Sequence, residues 1–202
     1  MRKKNFVVRR KRAITLRKKL FDTAAALFES KGYDDVSIDE ICKKVGVTKG
    51  AFYGHFKSKD QIVLEKMASY DNVYKTELLS QVLNMKPGVD KVLEYIRLVM
   101  KYQEGFTKKL VRMSYAVRVS NMDKAPISIP NKRELYYVLE ELIREGQSCG
   151  EIRDDLLPGQ IAEILLYSIR GLVFSWSLPG NRFDIEKKGE HLVQILRQGL
   201  YK

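Results

Sequence analysis

Apolar positions in the first third of the chain recur with the period of an α-helix. Within residues 13–31 the apolar side chains are three or four positions apart, as on one buried helix face. They are Leu16, Leu20, Ala24, Leu27 and Phe28. This spacing predicts an amphipathic helix from Ala13 to Lys31, which Gly32 ends because glycine is favoured after the last helical turn.

Two short helices are predicted directly after this one. Ser37 and Glu40 match the S-x-x-E capping box, in which a serine hydroxyl bonds the backbone of the third helical residue. Gly46 interrupts the resulting helix, and Thr48 can cap a third helix that we expect to continue to Phe56. Two short helices joined by a glycine-containing turn, behind a longer supporting helix, are typical of a helix-turn-helix unit.

The remainder of the chain has the periodicity of further helices. Ser58 and Gln61 repeat the capping-box pattern, and apolar stripes follow in residues 89–103, 106–119 and 134–147. The turn-forming segments between helices are Pro87-Gly88, MDKAPISIPN at residues 122–131, and Leu157-Pro158-Gly159. The whole pattern predicts an all-α protein of about nine helices.

A helix predicted over residues 160–178 is apolar around most of its circumference, which a helix with one buried face does not require. One side can pack on its own core while the other contacts a second copy, and residues 185–200 would complete a four-helix dimer interface. Gly171 would let two helices approach closely, whereas Arg170 could either pair across the dimer or reach a ligand cavity. The predicted interface residues are Ile161, Ile164, Leu165, Ile169, Leu172, Leu192, Ile195 and Leu196.

Positive charge is concentrated at the N-terminus. The chain has a net charge of +12 and a sequence pI near 9.6. Residues 1–20 contain ten Lys or Arg and no acidic residue, and residues 1–60 have a net charge of +9, which leaves +3 for the rest. A basic arm at residues 1–12 suits an acidic partner, which by charge alone is either nucleic acid or an anionic membrane surface.

The composition argues against several other classes of protein. No run reaches the ~18 apolar residues of a membrane span, and no apolar signal segment follows the basic arm. Two cysteines without a CxxC pattern predict a cytoplasmic location, and we expect Cys42 and Cys149 both to be buried. His55 and His191 fit no metal spacing or nucleophile motif, and there is no glycine-rich phosphate loop, so we predict no enzyme activity, metal or cofactor.

Residues 45–61, VGVTKGAFYGHFKSKDQ, contain the second helix of the predicted helix-turn-helix unit, which in such units enters the major groove of DNA. Small residues would let its backbone approach the duplex, phenol and imidazole groups can donate to phosphate oxygens, and lysines add positive charge. The predicted DNA-contacting residues are Ser37, Thr48, Lys49, Gly50, Ala51, Tyr53, His55, Lys57 and Lys59. Phe52 and Phe56 are expected to anchor the helix in the core.

The run SIDEICKKVGVTKGAFYGHFKSKDQI, residues 37–62, resembles the DNA-binding signature of the tetracycline-repressor (TetR) family of bacterial transcriptional regulators. The resemblance covers about residues 13–70. Cys42 stands where that family usually has alanine, and Gly54 where a larger residue is common. GEIRDDLLPGQIAEILLYSIRGLVFSW, residues 150–176, resembles the end of the family's regulatory domain.

This resemblance implies a DNA-binding domain at residues 13–58 and a helical effector-binding and dimerisation domain at residues 59–202. It implies a homodimer that presents two recognition helices to a palindromic operator, and repression is the family's commoner outcome. An effector would change the spacing of those helices through the helix that follows the helix-turn-helix unit, and so lower DNA affinity.

A small-molecule site is also predicted in the second domain. Its aromatic and methionine side chains could line a pocket for a small, largely hydrophobic effector, and the same side chains also suit a helical core. The candidate residues are Tyr95, Met100, Tyr102, Phe106, Met113, Tyr115, Tyr137, Tyr167, Arg170 and Trp176. The alternative interpretation is a basic helical protein of a membrane surface, or one that binds nucleic acid without sequence preference.

Overall fold

The computed structural model describes residues 2–120 and 134–202, which are helical apart from connecting segments and one isolated β-bridge between Ile152 and Tyr201. The helices are α1 (Arg2–Ser30), α2 (Ile38–Val45), α3 (Lys49–Tyr53), α4 (Lys59–Val73), α5 (Leu79–Val82), α6 (Val89–Glu104), α7 (Lys108–Ser120), α8 (Glu134–Ser148), α9 (Pro158–Ser177) and α10 (Ile185–Leu200). A π-helical turn, Tyr74–Leu78, joins α4 to α5 without interruption, so the described residues form nine separate helices.

The predicted all-α fold is thereby confirmed, while the predicted loop at residues 122–131 lies outside the described residues. None of the helices in the described ranges is both long and apolar enough to cross a membrane.

The chain divides into two compact units, an N-terminal unit that ends at Met67 and a C-terminal unit that begins at Ala68. This division falls within α4, whereas the sequence prediction placed it before that helix, at residues 58–59. The first turns of α4 belong to the N-terminal unit because they are tied to earlier residues. Glu65, for example, pairs with Arg17 of α1 at 2.7 Å.

Helix α1 is longer at its N-terminus than the sequence pattern predicted. It begins at Arg2 instead of Ala13, so the basic arm is the start of this helix and not a separate segment. Residues 2–12 contain no glycine or proline and are rich in Lys and Arg, which have high helix propensity. The predicted apolar face is confirmed by four buried side chains, Leu20, Ala24, Leu27 and Phe28.

Helix α6 is the centre of the C-terminal unit and contacts both α8 and α10. It lies close to α10 because Gly189 has no side chain: a Cβ atom there would lie 2.6 Å from Met100 Cγ. Lys91 of α6 is buried, and its ammonium group pairs with Glu145 of α8 at 2.7 Å. A buried cation depends on such a partner, since an unpaired buried charge is strongly destabilising.

The two cysteines differ in exposure. Cys42 is buried, as predicted, and burial raises the pKa of its thiol. Cys149 is exposed, so the prediction of a buried thiol is wrong for this residue. It directly follows the last turn of α8, where Gly150 takes a positive φ of 78° and the chain turns at the surface.

Candidate nucleic-acid interface

Local capping bonds form the helix-turn-helix unit of α2 and α3. The Ser37 hydroxyl accepts a hydrogen bond from the Glu40 backbone N–H at 3.1 Å, which starts α2 at the predicted position. Gly46 ends α2 with φ at 82°, a left-handed conformation that favours glycine. The Thr48 hydroxyl then accepts from the Ala51 backbone N–H at 3.3 Å and starts α3. The three predicted landmarks of the unit are therefore confirmed.

Helix α3 has one buried and one exposed side. It ends at Tyr53 and not at Phe56 as predicted, because Gly54 follows and glycine weakens a helix. Phe52 and Phe56 are both buried, with ring centroids 5.8 Å apart, which confirms them as core anchors. The Tyr53 side chain, in contrast, is 55% exposed. The core therefore fixes the orientation of α3 and leaves its other side at the surface.

Eight of the residues predicted to contact DNA lie on this surface or beside it. We call them the α3 surface: Ser37, Thr48, Lys49, Gly50, Ala51, Tyr53, His55 and Lys57. All are exposed except Ala51 and His55, which are half-buried. A Cβ atom at Gly50 would contact only the Thr48 hydroxyl, at 3.8 Å, so packing within the protein does not require glycine there. The space beside the α3 backbone is therefore available to another molecule.

Lys49 is held by a residue that sequence analysis missed. Its Nζ lies 2.8 Å from Oδ2 of Asp39, in the first turn of α2, and the two side chains are 58% and 67% exposed. The hydrogen bond to Asp39 raises the pKa of the Lys49 ammonium group. The sequence shows no sign of this pair, because its two members belong to different helices.

Lys59 is placed differently from the other predicted contacts. Its Nζ donates to the carbonyl oxygens of Tyr33 and Val36 at 2.9 and 2.7 Å, and lies 4.4 Å from the centroid of the Tyr33 ring. These contacts tie the start of α4 to the segment between α1 and α2. Lys59 is therefore engaged within the N-terminal unit and is not part of the α3 surface.

Exposed basic residues outside the predicted set also belong to the N-terminal unit. They include Arg10, Lys11, Arg12, Lys43 and Lys44. Lys19 is exposed as well, and its Nζ donates to the Val45 carbonyl at 3.2 Å, at the C-terminus of α2, where the helix dipole favours a cation. The unit thus carries cations beyond α3 that could reach phosphate groups.

The residues predicted for an effector site fall into three groups. Four are buried: Tyr95, Met100, Met113 and Trp176. Four are half-buried: Tyr102, Phe106, Tyr115 and Arg170. Tyr137 and Tyr167 are 48% and 51% exposed, so they do not lie in the interior with the others. In the described part of the chain, no group of three or more His, Cys, Asp or Glu side chains is placed to hold a metal ion.

Two of these residues belong to an aromatic cluster next to the π-helical turn. Phe106 lies with its ring centroid 5.1 Å from that of Tyr102 and 4.4 Å from that of Tyr70, and the Tyr102 and Tyr74 centroids are 5.8 Å apart. Gln103 Nε2 donates to the buried Tyr74 hydroxyl at 2.7 Å. Burial raises the pKa of the Tyr102 phenol to about 12. Sequence analysis missed two rings of this cluster, Tyr70 and Tyr74, and the Gln103 side chain that donates to Tyr74.

The predicted dimer residues divide between the core and the surface. Three are buried in the core of the chain itself: Ile161, Leu165 and Ile169. Three are half-buried: Leu172, Leu192 and Leu196. Ile164 and Ile195 are 59% and 74% exposed. The first three are therefore packed within the chain itself, and the other five keep some surface that a second copy could contact.

Comparison with known proteins identifies the class of this chain. The family described as "Bacterial regulatory proteins, tetR family" matches residues 20–65, a segment that contains α2 and α3. The transcriptional regulator AcuR of Cereibacter sphaeroides is 30% identical over 151 residues, which cover 71% of this chain and 68% of AcuR. The uncharacterized HTH-type transcriptional regulator YdgC of Bacillus subtilis is 26% identical over 193 residues, 94% of each chain.

A solved structure has the same fold over most of its length. It is that of Thermus thermophilus FadR, a TetR-family transcriptional repressor, in complex with lauroyl-CoA. The two chains superimpose with a TM-score of 0.68 at 17% identity, covering 91% of this chain and 94% of FadR. The family match at α2 and α3, the two related regulators and the shared fold agree. This chain belongs to the tetR family of bacterial transcriptional regulators.

Proposed function

We propose that this protein is a homodimeric transcriptional repressor that binds a palindromic operator through α3 and is released by a small, largely hydrophobic effector. The observation that carries the proposal is the α3 surface, which places exposed hydroxyl, phenol and lysine groups on a helix anchored from behind by Phe52 and Phe56. Recognition of a duplex requires such donors close to base edges and phosphates.

Individual residues of the α3 surface suit different parts of a duplex. We assign Lys49 and Ala51 to base recognition, since a lysine can donate to guanine and an alanine methyl group can contact thymine. The exposed Tyr53 hydroxyl suits a phosphate oxygen. The open space at Gly50 would allow the backbone to approach the groove without a steric barrier.

A palindromic operator requires two copies of α3, and we infer that α9 and α10 join them. Ile164, Tyr167 and Phe174 of α9 are 59%, 51% and 42% exposed and recur at helical spacing. Gly171 lies among them, and no atom outside its own helix turns would be within 4 Å of a Cβ atom there. Ile195 of α10 is 74% exposed. Exposed apolar groups at helical spacing are typical of a helix–helix interface, here an isologous four-helix contact.

A hydrophobic effector is proposed for the C-terminal unit, where the aromatic cluster combines rings with the buried polar pair of Tyr74 and Gln103. The FadR complex with lauroyl-CoA supports this class of ligand. The factor by which an effector lowers operator affinity cannot exceed the ratio of its own affinities for the two arrangements of the dimer. Helix α4 contains the boundary between the two units, so we infer that it transmits this preference.

Selection from a pool of random-sequence duplexes tests the proposal. We expect inverted repeats whose half-site centres are about 34–36 Å apart or a multiple of that distance. Lys49→Ala and Ala51→Ser should change the preferred sequence, while Tyr53→Phe should weaken binding to all duplexes by a similar factor. Fatty acyl compounds should release the protein from the selected duplex. If no inverted repeat is enriched, and binding to anionic vesicles equals binding to any duplex, the proposal is wrong.

A further inference from the structure

We propose that Asp39 is a specificity-determining residue that acts through Lys49, a proposal that rests on the DNA-binding function proposed for the α3 surface. Asp39 orients the Lys49 side chain toward a base edge and keeps it away from the DNA phosphates, which are present whatever the base sequence. Loss of Asp39 should therefore favour random DNA over the operator.

The Asp39–Lys49 pair connects the two helices of the helix-turn-helix unit. Asp39 lies in the first turn of α2, and Lys49 is the first residue of α3, with the ammonium nitrogen 2.8 Å from the carboxylate oxygen. Both side chains are more than half exposed, so the pair lies at the protein surface and not in the core. The hydrogen bond to the carboxylate also raises the pKa of the Lys49 ammonium group.

The carboxylate limits what Lys49 can bind. A lysine ammonium group has three N–H donors, and Asp39 accepts from one of them. The other donors remain for acceptors in the major groove, such as O6 and N7 of guanine. A lysine without this partner rotates and neutralises whichever phosphate is closest, which adds affinity without sequence preference.

The neighbouring residue provides a matched control. Glu40 lies next to Asp39 in the first turn of α2, but its carboxylate pairs with Lys31, the residue that directly follows α1. Neutralising Glu40 therefore removes the same charge from the same helical turn and leaves the Asp39–Lys49 pair in place. A difference between the two variants isolates the contact with Lys49 from a change in net charge.

The experiment measures two affinities for each variant, one for a duplex selected by the wild-type protein and one for a shuffled duplex of equal length. Asp39→Asn should raise affinity for the shuffled duplex about five- to tenfold at roughly 0.1 M salt, the effect of one released counterion. Affinity for the selected duplex should stay unchanged or fall. Glu40→Gln should keep the ratio of the two affinities close to the wild-type value.

A double-mutant cycle tests whether Asp39 acts through Lys49. In a Lys49→Met background, Asp39→Asn should change the affinity ratio no more than Glu40→Gln does. Thermal unfolding of each variant tests whether a change in the affinity ratio comes from loss of the folded structure. An unchanged ratio in Asp39→Asn, or an equal fall in Asp39→Asn and Glu40→Gln, overturns the Asp39 proposal alone. If the wild-type protein enriches no duplex, the proposed function fails, and the Asp39 proposal with it.

Discussion

Lys57 and Lys59 are two lysines of one short motif with different surroundings. The Lys57 side chain is exposed, whereas Lys59 donates to the carbonyl groups of Tyr33 and Val36. A hydrogen bond in which one group is charged contributes about 1.5–3 kcal/mol to stability. We therefore assign Lys59 to the stability of the N-terminal unit and Lys57 to the affinity for DNA.

Substitution of each lysine by methionine separates these two functions. Lys59→Met should lower the free energy of unfolding by about 1.5–3 kcal/mol, because the alkyl stem is kept but the Val36 carbonyl loses the Lys59 donor and the Tyr33 carbonyl keeps only the Val36 backbone N–H at 3.4 Å. Lys57→Met is the matched control; it should change stability by less than about 0.5 kcal/mol and weaken binding to every duplex. Urea unfolding followed by circular dichroism and a DNA-binding titration measure both effects. Equal unfolding free energies for the two variants would refute the structural assignment of Lys59.

At the scale of the element, α1 combines a core helix with a basic extension. Among its described side chains, burial begins at Leu20. Residues 2–12 contain seven Lys or Arg and, at 1.5 Å per residue, add about 16 Å of helix. Because Arg10, Lys11 and Arg12 are exposed, the extension is suited to contact phosphate groups and not to enlarge the core.

Removing this extension should reduce the electrostatic part of DNA binding. Deletion of residues 2–12 should weaken binding to random duplexes and flatten the dependence of log affinity on log salt, by about 0.9 for each phosphate that the extension neutralises. A second variant, with the seven basic residues replaced by glutamine, keeps the length and most of the helix propensity and should have the same effect. Binding titrations at four salt concentrations give the slopes. A wild-type slope in the glutamine variant would mean that the extension does not contact phosphate.

At the scale of the whole molecule, α9 and α10 carry apolar side chains that the single chain leaves exposed, an apolar stripe of Ile164, Tyr167, Phe174 and Ile195. Ile164 and Ile195 are 59% and 74% exposed, and they lie on the two helices proposed for dimerisation. A second copy would cover them, and simultaneous contact with two half-sites would then raise operator affinity well above that of one chain.

Charged substitutions in the stripe should separate the two copies. Ile164→Asp and Ile195→Asp should each yield a monomer of 23.4 kDa and weaken binding to a palindromic duplex about a hundredfold or more. Leu83→Asp is the control, since Leu83 is 58% exposed, close to the 59% of Ile164, but lies outside α9 and α10. Sedimentation velocity gives the mass of each variant. Wild-type mass in both isoleucine variants would place any dimer interface elsewhere.

The sequence by itself determined the local geometry of the α3 surface. Ser37 and Glu40, like Thr48 and Ala51, are three positions apart, and their capping bonds form within a single helical turn. The left-handed turn at Gly46 depends on that residue's own backbone. The buried face of α1 follows from helical periodicity alone. Such features need few neighbours, so the pattern of residue types is enough to predict them.

The tertiary structure decided which side chains remain available for contact with another molecule. Ile161 and Ile164 are equally apolar, but packing within the C-terminal unit covers only the first. Lys59 and its carbonyl acceptors are 23 and 26 positions apart and meet only because the chain folds back on itself. Asp39 and Lys49 likewise pair because α2 and α3 are held at one relative position. Contacts of this kind depend on distances between helices, which periodicity and capping patterns do not encode.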